Sequence, residues 1–121
     1  MHSCNEKTVN DFLKGKSEDT VRLFYYIIEE YKKMGNFVLH PARSRIAFAS
    51  RIRFGYIHRL GKNFVDVVLT FNKPYYDNLC FYRIGEVPGG KIFQHYLRFF
   101  NPEDLNKEVR MYMKMALDSG S

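Results

Sequence analysis

A chain of 121 residues, 45% hydrophobic and 17% aromatic, is long enough to bury one core and too short for two domains. Nineteen Lys and Arg against thirteen Asp and Glu leave a net charge of +6, which favours anionic partners. Two distant cysteines, Cys4 and Cys80, exclude a disulfide framework, and no apolar run approaches the ~18–20 residues of a transmembrane helix.

The N-terminus, MHSCNEKTVNDFLKG, lacks the basic start and apolar run of a signal peptide, so the expected location is cytoplasmic. The expected domain spans residues 1–121, with an ordered core over about 8–117. Thr8 is positioned to cap a short helix through Leu13. Ser17 opens a longer one over 18–34, with acidic residues in its first turn, lysines in its last and Gly35 beyond. Val21, Phe24, Tyr25, Ile28 and Tyr31 follow helical spacing, and Leu23 and Ile27 widen the stripe. From Asn36 the apolar period changes to two. Strands are predicted at 37–40, 43–49, 52–60, 63–71, 78–86 and 91–99, joined by connections short enough to make the sheet antiparallel. NPEDLNKEVRMYMKMAL predicts a closing helix over 102–117, with Asn101 at its N-cap, Pro102 at its first position and Ser119-Gly120-Ser121 as a loose tail. The fold class is therefore α+β: one antiparallel sheet of five to six strands with N- and C-terminal helices packed on one face.

The segment HPARSRIAFASRIRF, His40 to Phe54, carries four arginines. Strand alternation sets Arg43, Arg45, Ala47 and Ala49 against Ser44, Ile46, Phe48 and Ser50. In the next strand it sets Arg51, Arg53, Gly55, Ile57 and Arg59 against Ile52, Phe54, Tyr56, His58 and Leu60. Ile46, Phe48, Ile52, Phe54, Tyr56 and Leu60 are expected beneath the helices, and the arginines on the other face. Between Leu39 and Val65 there is no Asp or Glu to offset them. Arg43, Arg45, Arg51, Arg53 and Arg98 are thus the candidate anion-binding residues. A purely solvated sheet face is the competing reading.

GEVPGGKI, Gly85 to Ile92, has the glycines and lysine of a phosphate-binding loop, but Ile92 lacks the hydroxyl that loop needs and IFQHYLRF continues as a strand. It reads as a hairpin tip. No metal-ligand spacing is present; His2 with Cys4 is the weak exception. His40, His58 and His95 are the candidate catalytic residues, with Asp66 and Glu86 as available carboxylates. Lying among apolar positions, His58 and His95 are expected on apolar faces, either as hydrogen-bonded core residues or converging with His40 on a pocket.

Three segments resemble a family of small domains of unknown function, numbered 5655. They are TVNDFLKGKSEDTVRLF, HPARSRIAFASRIRFGYI and QHYLRFFNPEDLNKEVR, and the likeness runs from about Thr8 to Ala116. The most specific part is a His, two spacers, a basic residue, Ser or Thr, Arg, an aliphatic residue, a spacer and Phe. His40, Arg43, Ser44, Arg45, Ile46 and Phe48 fit it, and His95 with Arg98 match a later His-x-x-Arg element. The resemblance implies an α+β domain and no established activity. Members that stand beside nuclease-like domains give a lean toward nucleic acid. It also makes His40, Arg43, Arg45 and His95 the leading site candidates.

Three functions are compatible with these residues. The first is a binding module for nucleic acid or another phosphate-bearing ligand, needing no cofactor, with Tyr56, Tyr75, Tyr76 and Tyr82 available for base stacking. The second is a small metal-independent enzyme acting on a phosphorylated substrate, with a histidine as acid or base and arginines holding charge. The third is an interaction domain for an acidic protein. Converging histidines would favour the enzyme; scattered histidines beside an open arginine face would favour binding.

Overall fold

Reciprocal capping starts the chain's first helix. In a computed structural model that describes residues 8–76 and 80–120, the Thr8 hydroxyl accepts the Asp11 N–H at 3.2 Å, and the Asp11 carboxylate accepts the Thr8 N–H at 2.9 Å. Helix α1 is Val9–Leu13 and α2 is Glu18–Lys32, whose N-cap Ser17 accepts the Thr20 N–H. Leu23, Phe24, Ile27, Ile28 and Tyr31 of α2 are buried, whereas Tyr25 is exposed, so the buried stripe is centred on Leu23 and Ile27. The Thr20 hydroxyl reaches the Gly61 and Lys62 carbonyls at 2.7 and 2.8 Å, tying the start of α2 to a turn of the sheet.

The sheet has six antiparallel strands: β1 Val38–Pro41, β2 Ile46–Ala49, β3 Arg53–Leu60, β4 Val65–Phe71, β5 Arg83–Glu86 and β6 Phe93–Phe99. Their spatial order is β1-β2-β3-β4-β6-β5. The first four form a meander. β6 then pairs with β4, from Val65↔Phe99 to Phe71↔Phe93, which leaves β5 at the edge. Strand 78–86 was expected to be longer; β5 begins at Arg83, and residues 78 and 79 lie outside the described residues. The VPGGK segment is the β5–β6 turn, closed by Val87 N–H to the Ile92 carbonyl at 2.9 Å.

Ile46, Phe48, Phe54, Ile57, Val65, Val67, Leu69, Leu97 and Phe99 share one core with Phe24, Ile27, Tyr31, Val109, Met113 and Leu117 of the helices. At its centre Tyr31, Phe37, Phe48 and Phe54 meet with ring centroids 5.1–6.0 Å apart. The buried Tyr31 hydroxyl donates to the Met113 carbonyl at 2.6 Å.

Simple alternation fails in β3. The register shifts against β2 at Phe48/Ala49 and against β4 between Ile57 and Arg59, two bulges that each add a residue to β3. Phe54 keeps its expected inward position, but Tyr56 pairs with Ala47 and Val68 on the helix-free face, and Ile57 enters the core. Ile52 was expected inside; it is 60% exposed, in the loop before β3. Gly55 marks the site, because a Cβ there would lie 2.6 Å from the Val68 carbonyl oxygen. The 43–49 strand is also shorter than expected: Ala42 N–H bonds the Arg45 carbonyl at 2.8 Å, making 42–45 the β1–β2 turn.

The closing helix is divided. Pro102–Asp104 is one 3-10 turn, whose Asp104 carboxylate accepts the Phe100 and Asn101 amides, and α3 runs Lys107–Gly120. Asn106 Oδ1 takes the N-cap bond from Val109 N–H at 2.9 Å, so the long helix is capped by Asn106 and not by Asn101. Gly120 is no loose tail. It is buried in α3, its carbonyl accepts the Ile52 N–H at 2.9 Å, and a Cβ would meet Phe54 at 2.9 Å. No helix among the described residues is long and apolar enough to cross a membrane.

Candidate nucleic-acid interface

All three helices pack on one side, leaving the other face of the sheet bare of helix. One cross-strand row spans it: His40, Ala47, Tyr56, Val68, Tyr96 and Arg83, on β1, β2, β3, β4, β6 and β5. A second row carries Arg59, Asp66 and Arg98. A face open to water would ordinarily carry solvated polar groups. Here Tyr56 and Tyr96 are only 8% exposed, and Val68 is fully buried.

Side chains packed over the face cover them. The Arg45 guanidinium sits 4.2 Å from the Tyr56 ring centroid, and that of Arg83 sits 5.2 Å from the Tyr96 centroid. His58 packs between the two tyrosines, 6.2 Å from Tyr56 and 5.4 Å from Tyr96, and Tyr82 follows at 5.8 Å from Tyr96. The result is a continuous platform of four rings packed edge to face, at interplanar angles of 60–86°, with the Arg45 and Arg83 guanidiniums over Tyr56 and Tyr96. Desolvation pushes the Tyr56 phenol up, with Tyr96 adding to it against the pull of Arg45, so the ring stays neutral. Desolvation also lowers the pKa of His58, and Arg45, Arg59 and Arg83 add to this against the opposing pull of Asp66.

Asp66, the one carboxylate in these two rows, is cancelled. Its side chain is 1% exposed, and it accepts from Arg98 Nε at 2.7 Å, from another Arg98 nitrogen at 3.0 Å and from the Tyr82 hydroxyl at 3.1 Å. Arg98 in turn lies between the Phe64 and Tyr82 rings, at 4.4 and 4.8 Å. Hydrogen bonding to Asp66 raises its pKa far above the ordinary arginine range. Arg98 thus serves a buried pair as well as the face.

The arginines expected in one row are split between the two ends of β2. Arg43 and Arg45 belong to the β1–β2 turn; Arg51 lies in the loop before β3, and Arg53 opposes Ala49. Arg59 lies on the face expected for it, and Arg83 and Tyr96, not singled out in the sequence, join it. Tyr96 and Arg98 were readable as the complement of Phe93, His95, Leu97 and Phe99 on β6.

The histidines do not converge. His40 is exposed on edge strand β1, His58 is part of the platform, and His95 is fully buried on the opposite, helix-covered side. His95 Nδ1 donates to the Phe93 carbonyl at 3.0 Å, and Nε2 accepts the Tyr75 N–H at 3.1 Å, which fixes a neutral tautomer. Phe71, Tyr75 and Phe81 surround it with ring centroids at 4.8–5.6 Å. This is a structural histidine. Burial lowers its pKa against a smaller opposing effect of the Phe93 carbonyl. The stabilisation it provides is therefore complete above the unfolded value of about 6.5 and is lost as pH falls through the lower folded value. Denaturant titrations between about pH 7.5 and 5 should show stability dropping with acid, and His95→Gln should show a shallower drop; equal slopes would remove His95 as the cause. His58 titrates in both proteins and cancels in the comparison.

Cys80 offers no nucleophile: burial pushes its thiol up to about 12, and Glu108 adds to the effect. Among the described residues, no three His, Cys, Asp or Glu side chains are placed to hold a metal ion, and His2 and Cys4 lie outside those residues.

The chain matches no family model, no curated protein and no solved structure. Of the site candidates and their neighbours in HPARSRIAF and QHYLRF, His40, Arg45 and Arg98 lie on the helix-free face and Arg43 and Ser44 lie in the turn beside it, while Ile46, Phe48 and His95 build the core.

Proposed function

We propose that this protein is a cytoplasmic single-stranded nucleic-acid-binding module, and that its helix-free sheet face is the binding surface. The observation carrying this reading is the ring platform of Tyr56, His58, Tyr96 and Tyr82 under the guanidiniums of Arg45 and Arg83. Unpaired bases stack on aromatic rings and on guanidinium planes alike, and arginine edges hold phosphates. A duplex hides its bases and could use only the charge. The enzyme reading needs an acid–base pair; His95 is committed to the core and His40 stands two strands from His58, so the arrangement favours binding over catalysis. Membership of the family numbered 5655 is part of the same proposal, on the residues His40, Arg43, Ser44, Arg45, Arg98 and their core neighbours.

Oligothymidylate binding measured against salt tests it. Three or four neutralised phosphates give a log–log slope of about −2 to −3 on single strands, and replacing Arg45 and Arg83 together by alanine should flatten it by about 1.4. Replacing both by lysine should keep the slope but weaken single-strand binding, because the stacking plane is gone while the charge remains. Equal losses on duplex and single strand would reduce the face to a diffuse positive field. No binding at low salt would overturn the proposal, and binding only to an acidic protein would replace it with the interaction-domain reading.

A further inference from the structure

Beside His58 lies a cleft of about 300 Å³, lined by Asp11, Lys14, Lys16, Ser44, His58 and Arg59, with Phe12, Ile57 and Leu60 on its core side. Three segments distant in sequence wall it: the end of α1 and the chain after it, the β1–β2 turn, and the last residues of β3. It shares two residues with the face already described. The His58 ring touches the Tyr96 ring, and Arg59 stands opposite Asp66. Lys14, Lys16 and Arg59 bring three cations to it, and Ser44 brings a hydroxyl. The one acidic lining residue, Asp11, already accepts the Thr8 N–H at 2.9 Å in the cap of α1. Its volume is at the small end for ligand pockets, enough for one phosphate-bearing unit rather than a length of polymer.

We infer that this cleft holds the terminal phosphomonoester of a nucleic-acid strand lying on the platform. The inference rests on the single-strand reading above. A monoester carries close to two negative charges at neutral pH and three acceptor oxygens, where an internal diester carries one charge. Two lysines supply point charges, and an arginine supplies a forked donor, which together match the more highly charged group. The cleft adjoins His58 and Arg59 at the end of β3 and is closed on the helix side by α1, so the end of a strand that leaves the platform past His58 reaches it at the margin of the sheet.

The test compares oligothymidylates of about eight nucleotides, within the range of one single-strand site, bearing a 5′-phosphate, a 3′-phosphate or hydroxyls at both ends. Binding is read by fluorescence anisotropy on the wild type and on Lys14→Ala combined with Lys16→Ala; both lysines are exposed, so folding is preserved. One phosphorylated end should bind about tenfold tighter than the hydroxyl form, and the double variant should lose that gain while binding the hydroxyl form within about twofold of wild type. Which end gains tells the polarity of the strand. If hydroxyl and phosphorylated strands bind the wild type equally, the end site is refuted while the platform stands. A gain that survives in the double variant places the phosphate elsewhere and refutes it as well. If no oligonucleotide binds, the platform reading and this inference fail together.

Discussion

Replacing Phe48 by alanine should lower the free energy of unfolding by about 3–5 kcal/mol. The ring is fully buried on β2 and meets Tyr31, Phe37 and Phe54 at 5.5, 5.7 and 6.0 Å, so its loss opens a cavity among side chains from α2, β3 and the segment before β1. None can collapse into the space without breaking another contact. Tyr31 is held by its bond to the Met113 carbonyl, and Phe54 is wedged against Gly120. Urea denaturation checks this, and a loss below about 1 kcal/mol would mean the aromatic cluster repacks freely. Binding by the surviving folded fraction should be unchanged, because Phe48 faces away from the platform.

Arg98→Met should destabilise at neutral pH by a similar amount, about 3–5 kcal/mol, and Asp66→Asn by distinctly less, about 1–2 kcal/mol. The asymmetry comes from burial. Without Arg98 the Asp66 carboxylate is stranded at 1% exposure with, among the described residues, the Tyr82 hydroxyl as its remaining side-chain donor. Without the carboxylate, the Arg98 guanidinium, about one-third exposed, can turn to water. Denaturation of both variants at one pH decides it. Equal losses would mean that Asp66 is reached by solvent. Losing the carboxylate also leaves the Arg98 charge uncancelled, so Asp66→Asn should strengthen oligonucleotide binding even as it weakens the fold.

The elements were legible where a local signal determines them. Thr8 and Ser17 announce their helices through backbone bonds made within three residues, and the connections after Leu60 and Val87 are short enough to impose antiparallel pairing. The faces of β3 were not legible, because alternation assumes an unbroken ladder and two bulges interrupt it. Tyr56 and Ile57 exchanged places for that reason. Gly55, a lone glycine within a strand pattern, was the available warning. The split of the last helix turned on Asn106, a residue that outcompetes Asn101 as a cap once Asp104 is drawn back to the amides of Phe100 and Asn101. The density of arginine around Arg45 was visible in one dimension. That Arg83 would join it across the sheet was not, since it depends on β5 lying outside β6.

That strand order also governs how the chain can find its native state. From β1 to β4 each strand meets its neighbour across a short turn, so the meander can zip with little loop-closure cost. β6 must instead reach β4 from beyond β5, closing the span between Phe71 and Phe93 before it gains its first rung. Until it docks, Val65, Val67 and Leu69 present an unmatched ladder at the middle of the future sheet. The β4–β6 seam therefore carries the largest loop-closure cost of the pairings in this sheet. On the finished sheet, Val68 of β4 and the platform ring Tyr96 of β6 meet across that same seam.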